Sequence, residues 1–143
     1  VDAFIDNEYI QNGGQKIDMY QRLAVVSSKE ELDELRRELE DRYGRPSPYV
    51  EKLLQVTETR LEAKAQGMVL IAQKKDILEI KWRRVSDMPD LSKLEKPLRS
   101  RFRLIPSIPV MVRVSLAGVS DILDFIQTLL TAFSSLRKGD SRD

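Results

Sequence analysis

The amino-acid sequence predicts an α+β fold, in which three consecutive helices precede a small, mainly antiparallel sheet and one helix closes the chain. Apolar residues recur every three or four positions between Gln15 and Gly67, which is the period of one-sided helices. Two runs rich in branched and aromatic residues follow, and a final segment returns to helical spacing. With 143 residues, of which 41% are hydrophobic and 33% charged, the chain suits one compact domain over residues 1–143.

The N-terminal segment predicts a short strand followed by a helix. Val1 to Ile5 alternates, with Val1, Ala3 and Ile5 on one face, and a polar break follows at residues 12–14. The first helix is predicted from Gln15 to Val26. Its inward positions are Ile17, Met19 or Tyr20, Leu23 and Val26.

The second and third helices carry explicit start and stop signals. Ser28 stands three residues before Glu31, which is the spacing of a capping box and predicts a helix start at Ser28. Gly44 predicts its end, because glycine adopts the left-handed closing conformation at the lowest cost. Ser47 and Pro48 then predict the start of a third helix, which extends as far as Gly67. The inward residues of the second helix are Leu32, Leu35, Leu39 and Tyr43.

The second half of the chain predicts the sheet and the closing helix. The runs at residues 68–73 and 77–82 form a predicted hairpin that ends on Trp82, a residue expected in the core. Prolines interrupt residues 83–109, where a short helix from Leu91 to Leu98 and a strand from Phe102 to Ile105 are predicted. Alternation from Val110 to Leu116 predicts another strand. Ser120 is the predicted cap of a last helix from Asp121 to Leu136.

Composition excludes several classes of function. Cysteine and histidine are both absent, which removes disulfides, thiolate nucleophiles and the usual zinc ligands, and which fits a reducing cytoplasm. No apolar run approaches the roughly 18 residues that a membrane span needs. Gly13 and Gly14 do not form a phosphate-binding motif, and no carboxylate is spaced with a second catalytic group. The sequence therefore predicts no catalytic residue and no metal site, and an enzyme is the least favoured class.

Charge is divided unevenly along the chain, although the net charge is only +1. Residues 1–67 hold 14 acidic and 10 basic residues, for a net charge of −4, whereas residues 68–143 hold 9 acidic and 14 basic residues, for +5. An overall basic footprint for nucleic acid is absent, so any interaction by charge depends on a local patch.

An acidic strip is predicted on the second helix. At about 100° per residue, four acidic side chains share one solvent-facing sector next to the leucines, and Arg42 flanks them. They are Glu31, Glu34, Glu38 and Asp41. One interpretation is a solvated helix face, partly neutralised by same-helix pairs such as Glu38 with Arg42. The other is a docking strip for a basic surface.

A basic segment between Lys93 and Arg103 is the candidate nucleic-acid contact. Its cations, against one acid at Glu95, are Lys93, Lys96, Arg99, Arg101 and Arg103. Arg99, Arg101 and Arg103 alternate as one edge of a strand would, and their number is small for a surface that binds phosphates. The alternative interpretation is a solvated edge that discourages strand pairing.

Several motifs in the first half resemble the C-terminal domain of bacterial transcription-repair coupling factors. They are EYI at 8–10, QKIDMYQRL at 15–23, and ELDELRRELEDRYG at 31–44 with Pro48, Leu53 and Leu54 after it. The resemblance is close to about Gly67, and beyond that it extends only to the order of the elements. One departure is that Gln11 and Asn12 stand where the family usually has Pro and Asp.

The resemblance implies that this chain is one regulatory domain of a large multidomain protein. Such a protein is an ATP-driven translocase on double-stranded DNA that removes stalled RNA polymerase and recruits excision repair. The ATP and Mg²⁺ sites belong to upstream motor domains, so no cofactor is expected in this chain. The domain is expected to pack on the UvrB-like N-terminal module of the same protein, to cover the surface that binds UvrA, and to restrain the motor.

The resemblance also assigns residues to that contact. The E-x-x-D pair of the family's ExxDR[FY]G motif faces the UvrB-like module, and here it falls on Glu38 and Asp41. Arg42 is then an orienting neighbour, and Glu34 belongs to the same strip. The alternative is an accessory DNA-contacting role for Lys96, Arg99, Arg101 and Arg103. A cytoplasmic protein without a membrane partner is expected in either case.

Overall fold

The computed structural model describes residues 2–140, with residues 138–140 as backbone only. It contains five helices and four strands within this range. They are α1 (Gly13–Val25), α2 (Lys29–Tyr43), α3 (Pro48–Ala65), β1 (Met68–Lys74), β2 (Ile77–Trp82), α4 (Lys96–Arg99), β3 (Phe102–Ile105), β4 (Met111–Ser115) and α5 (Ile122–Asp140). Two 3-10 turns, Val85–Asp87 and Leu91–Lys93, lie in the connection after β2. The predicted α+β class is confirmed.

The predicted N-terminal strand over Val1–Ile5 is wrong for the residues that the structure describes. Residues 2–5 are irregular, because no neighbouring strand supplies a hydrogen-bonding edge. Ile5 is buried, and its N–H group donates to the Tyr20 hydroxyl at 2.7 Å instead of to a strand. The alternation that predicted a strand therefore reflects one buried apolar side chain.

The helix boundaries follow from local capping contacts. The Asn12 side chain accepts a hydrogen bond from the Gln15 N–H group at 2.9 Å, so that α1 begins two residues earlier than predicted. Ser28 caps α2 through the Glu31 N–H group at 3.1 Å, as predicted. Gly44 ends α2 with a φ of 85°, and the Ser47 hydroxyl accepts from the Val50 N–H group at the start of α3.

Two predicted boundaries in the second half need correction. The helix predicted from Leu91 to Leu98 is a 3-10 turn followed by the four-residue α4, because Pro97 is compatible only with the first turn of a helix. The cap of α5 is Asp121 rather than Ser120, since its carboxylate accepts from the Asp124 N–H group at 3.0 Å. The same helix continues past Leu136 to Asp140.

The chain divides into two compact units, one up to Leu61 and one from Glu62 onward. The first unit is helical, and its core joins α1, α2 and the first turns of α3 with the N-terminal segment. Its buried apolar residues are Ile5, Ile10, Met19, Leu23, Val26, Leu32, Leu35, Leu39, Val50 and Leu54. A single domain over residues 1–143 remains a prediction.

The second unit is a four-stranded antiparallel sheet with α5 packed on one face. The strand order is β1-β2-β4-β3, and every neighbouring pair is antiparallel. Alternate residues of the two central strands pack with α5 in the core. The fully buried members are Leu78, Ile80, Trp82, Val112, Val114, Leu129 and Phe133. No helix among the described residues is long and apolar enough to cross a membrane.

Candidate docking surface

The acidic strip forms because α2 buries one narrow face. Leu32, Leu35 and Leu39 are buried, which leaves the neighbouring sector of the helix to solvent. Glu34, Asp41 and the flanking Arg42 are exposed, and Glu38 is half-buried. Glu31 belongs to the helix start, since its carboxylate accepts from the Ser27 N–H group at 3.3 Å and the Ser27 hydroxyl at 2.9 Å.

Glu38 is bound within the chain rather than free. Arg22 of α1 donates to both of its oxygens, at 2.5 Å and 2.8 Å, and Arg42 donates to one of them at 3.2 Å. The bidentate Arg22 contact is the largest cause of a pKa lowered to about 2 for the Glu38 carboxyl. The same-helix pair of Glu38 with Arg42 is confirmed. Glu38 therefore positions two cations and contributes little unpaired negative charge.

Arg22 is a member of this cluster that the sequence did not indicate. It lies 16 residues before Glu38, on a different helix, so no i,i+3 or i,i+4 rule relates the two. The available signal was that Arg22 borders the buried face of α1, since at about 100° per residue it lies roughly 60° from Met19. Only the packing of α1 against α2 shows which acidic residue it meets.

Asp41 and Glu34 are the available anions of the strip. Both side chains are exposed, and neither forms an ion pair with any residue whose side chain the structure describes. Arg42 lies beside them and is held in place, because it donates to Glu38 and its guanidinium lies 5.0 Å from the centre of the Tyr43 ring. The site thus presents two unpaired carboxylates next to one fixed cation.

The end of α2 is fixed by a tyrosine from the N-terminal segment. The Tyr9 hydroxyl lies 3.1 Å from the Leu39 carbonyl and 2.8 Å from the Gly44 carbonyl, to which it donates. Burial raises the pKa of this phenol to about 12. The rings of Tyr9 and Tyr43 pack with their centres 5.7 Å apart. The segment 8–10 therefore supports the helix end that carries Asp41 and Arg42.

Two cations of the basic segment bind backbone carbonyls within the chain. The Arg99 guanidinium donates to the Ser92 and Leu94 carbonyls, both at 3.3 Å. Arg101 donates to the Ser115 and Ala117 carbonyls at 2.9 Å and 2.8 Å. These two side chains stabilise local backbone, whereas Lys96 on α4 and Arg103 on β3 are exposed. A DNA contact by all four residues remains an untested prediction.

The carboxylates of the acidic strip are not grouped as metal ligands would be. Among the residues that the structure describes, no group of three acidic side chains is placed to hold a metal ion. The carboxylates of α2 are paired with arginines, used in the helix cap or spread along the helix surface. The arrangement is suited to an electrostatic contact with another protein surface.

Comparison with known proteins agrees with this architecture. A family model described as the TRCF domain matches residues 1–93. The transcription-repair-coupling factor of Bacillus subtilis is 42% identical over 80 residues, which are 56% of this chain and 7% of that protein. The corresponding factor of Haemophilus influenzae is 38% identical over 71 residues, which are 50% of this chain and 6% of that protein.

A solved structure extends the likeness of fold to almost the whole chain. It is the C-terminal domain of a transcription-repair coupling factor, with a TM-score of 0.69 over 96% of this chain and 88% of that chain, at 17% identity. This chain spans a small part of the curated relatives, about 7% of the Bacillus subtilis protein. Because the family model covers well over half of its length, the chain belongs to the TRCF domain family.

Proposed function

We propose that this chain is the regulatory C-terminal domain of a cytoplasmic transcription-repair coupling factor, and that its acidic strip docks on the UvrB-like N-terminal module of the same protein. Docking would cover the surface that binds UvrA and restrain the ATP-driven translocation on double-stranded DNA that displaces RNA polymerase. Membership of the TRCF domain family supports the general role. The docking itself rests on the geometry of α2.

The observation that carries the proposal is the pair of exposed, unpaired carboxylates on Asp41 and Glu34. An exposed anion that has no internal partner gains most from a cation on another surface. Arg42, fixed by Glu38 and Tyr43, orients the partner by adding one positive charge at a defined position. Glu38 acts by positioning Arg22 and Arg42, rather than as a direct contact.

A docking contact of this kind is weak, and a regulatory clamp needs it to be weak. Exposed ion pairs contribute about 0–1 kcal/mol each. The covalent link between domains supplies an effective concentration that reaches the millimolar range, so weak contacts hold the clamp closed. A small shift in the conformational equilibrium of the parent protein is then enough to release the docked domain.

The test uses the full-length parent protein with Glu34→Arg and Asp41→Arg together. Both side chains are exposed and unpaired among the described residues, so the reversal leaves the leucine face intact and removes no ion pair of Glu38. We expect the variant to bind UvrA more tightly and to hydrolyse ATP faster than wild type. The measurements are UvrA pull-down and steady-state ATPase rate.

The control is Glu40→Arg, which reverses one charge, against two in the test variant, on an exposed side chain at a different side of α2. We expect the control to behave as wild type. An effect of the control about half as large as that of the test variant would show that net charge, and not the position of the strip, decides the outcome. No effect of either would leave α2 a solvated helix face and the docking proposal wrong.

The DNA-contacting alternative predicts a different result. An accessory role for Lys96 and Arg103 requires salt-sensitive binding of short duplex DNA by the 143-residue chain alone. The docking function predicts no such binding at physiological salt. Arg99 and Arg101 donate to backbone carbonyls, which leaves few cations for phosphates and makes docking the better supported function.

A further inference from the structure

The four-stranded sheet has a second face, opposite α5, that carries a distinct pattern of residues. Strand register aligns its outward side chains in cross-strand rows. One row is Leu70, Lys81, Met111 and Ile105, and the next is Ala72, Glu79, Arg113 and Arg103. We call this surface the outer sheet face. It lies in the second unit and shares no residue with the acidic strip.

Positive charge predominates on the outer sheet face. Its cations are Lys74, Lys81, Arg103 and Arg113. Glu79 is the one acidic residue among the outward-facing positions of the four strands, all of which the structure describes. Lys74 and Arg113 contact Glu79 at 3.1 Å and 3.2 Å, and that carboxylate is buried beneath them. The remaining charge on this face is therefore unneutralised and positive.

Two of these cations directly oppose each other. Arg103 of β3 and Arg113 of β4 are cross-strand partners, an arrangement in which like charges destabilise the sheet. Arg113 has Glu79 as a partner, but Arg103 is exposed and forms no ion pair with any described side chain. An anion placed over this pair would relieve the repulsion. The sheet thus carries an internal electrostatic cost that an acidic ligand would remove.

The row beside the arginines is apolar apart from Lys81. Leu70 is exposed, Ile105 is half-buried, and the buried Met111 lies between them in the row. No aromatic side chain occupies an outward position of the four strands, so the face has no platform on which nucleic-acid bases stack. Apolar side chains next to cations fit a protein surface better than a phosphate backbone, which has no apolar groups to cover them.

We propose that the outer sheet face is a docking surface for an acidic polypeptide, such as an amphipathic helix that presents carboxylates beside leucine-like side chains. The carboxylates would pair with Arg103, Arg113 and Lys81. The apolar side chains would cover Leu70 and Ile105. This second docking surface is separate from the acidic strip of α2. The strip would bind a basic partner, whereas the outer sheet face would bind an acidic one.

The test measures binding of a fluorescent synthetic helix of Glu, Leu and Ala to the 143-residue chain by anisotropy at physiological salt. We expect saturable binding that weakens with added salt. Lys81→Glu with Arg103→Glu should weaken it about tenfold or more. Arg103→Glu places a carboxylate opposite Arg113, so the variant gains a cross-strand ion pair and keeps the fold.

Lys96→Glu, which reverses one charge, against two in the double variant, is the control, because Lys96 is exposed on α4 and lies off the sheet. It should bind the peptide as wild type does. If the double variant does not fold, Arg103→Gln alone tests the same surface and should still weaken binding. Absence of binding by the wild type, or binding that the variants leave unchanged, would overturn the proposal. Tighter binding of short duplex DNA than of the peptide would assign the face to nucleic acid and equally overturn it.

Discussion

At the scale of single residues, the Glu38 cluster gives the first unit a pH-dependent source of stability. The pKa of Glu38 is about 2 in the folded chain, against an ordinary value of 4.5. A lowered pKa means that the charged form is the one the fold stabilises. This stabilisation is fully present above pH 4.5 and is lost as the pH falls toward 2.

We therefore expect Glu38→Gln to lower the free energy of unfolding by about 1 kcal/mol at pH 7, a value for a bidentate pair that solvent partly screens. The difference from wild type should shrink toward zero as the pH approaches 2. Urea denaturation at several pH values measures it. Asp41→Asn, which removes an exposed carboxylate without an ion pair among the described residues, should change stability by less than about 0.5 kcal/mol. A constant loss at every pH would attribute the effect of Glu38→Gln to packing.

Sequence pattern predicted the local part of this cluster and not the rest. The pair of Glu38 with Arg42 follows from i,i+4 spacing on a helix, and the structure confirms it. Arg22 could not be predicted, because its contact depends on how α1 packs against α2. For the same reason the sequence did not indicate that Arg99 and Arg101 donate to backbone carbonyls.

At the scale of elements, the turn from α3 into β1 depends on Gly67. Its φ is +83°, and a Cβ atom at this position would lie 2.7 Å from the Cβ and Cγ atoms of Asp87. Gly44 provides a comparison, because its φ is +85° and no atom lies within 4 Å of the equivalent Cβ. The two glycines separate the cost of backbone conformation from the cost of a clash.

We expect Gly44→Ala to lower the free energy of unfolding by about 2 kcal/mol for the backbone alone, because a φ of 85° with a ψ of −167° is a conformation nearly confined to glycine. Gly67→Ala should cost about 3 kcal/mol, because Asp87 and its turn must also move. Urea denaturation of the two variants measures the difference. Equal losses of stability in the two variants would show that the turn at Asp87 moves aside without an energetic cost.

Elements with a clear signal in their own residues were predictable, including all four strands of the sheet, whereas one predicted strand has no neighbour to pair with. Both ends of α2 follow from residues within a few positions, so Ser28 and Gly44 were identified correctly. The strand at residues 2–5 failed because a strand requires a partner, which alternation does not reveal. The cap of α5 is Asp121 and not Ser120. Serine and aspartate are both good helix caps, so composition alone could not choose between these adjacent residues.

At the scale of the whole molecule, the question is whether the two compact units unfold together. One helix, α3, contributes to both cores: Val50 and Leu54 belong to the first, and Ala63 belongs to the second. Loss of the first core would remove the packing that holds the start of this helix, and short isolated helices are marginal in water. The shared helix therefore favours coupled unfolding, as one domain over residues 1–143 requires.

Leu39→Ala tests this coupling, because Leu39 is buried in the first unit and the single tryptophan, Trp82, is buried in the second. The substitution should cost about 2–5 kcal/mol in a packed core. If unfolding is cooperative, the Trp82 fluorescence transition in urea should shift to lower urea and coincide with the loss of helical circular dichroism. Ile17→Ala should leave both transitions in place, because Ile17, which helical spacing wrongly predicted to face inward, is 60% exposed. An unchanged Trp82 transition after early loss of helical signal would make the two units independent and the single domain wrong.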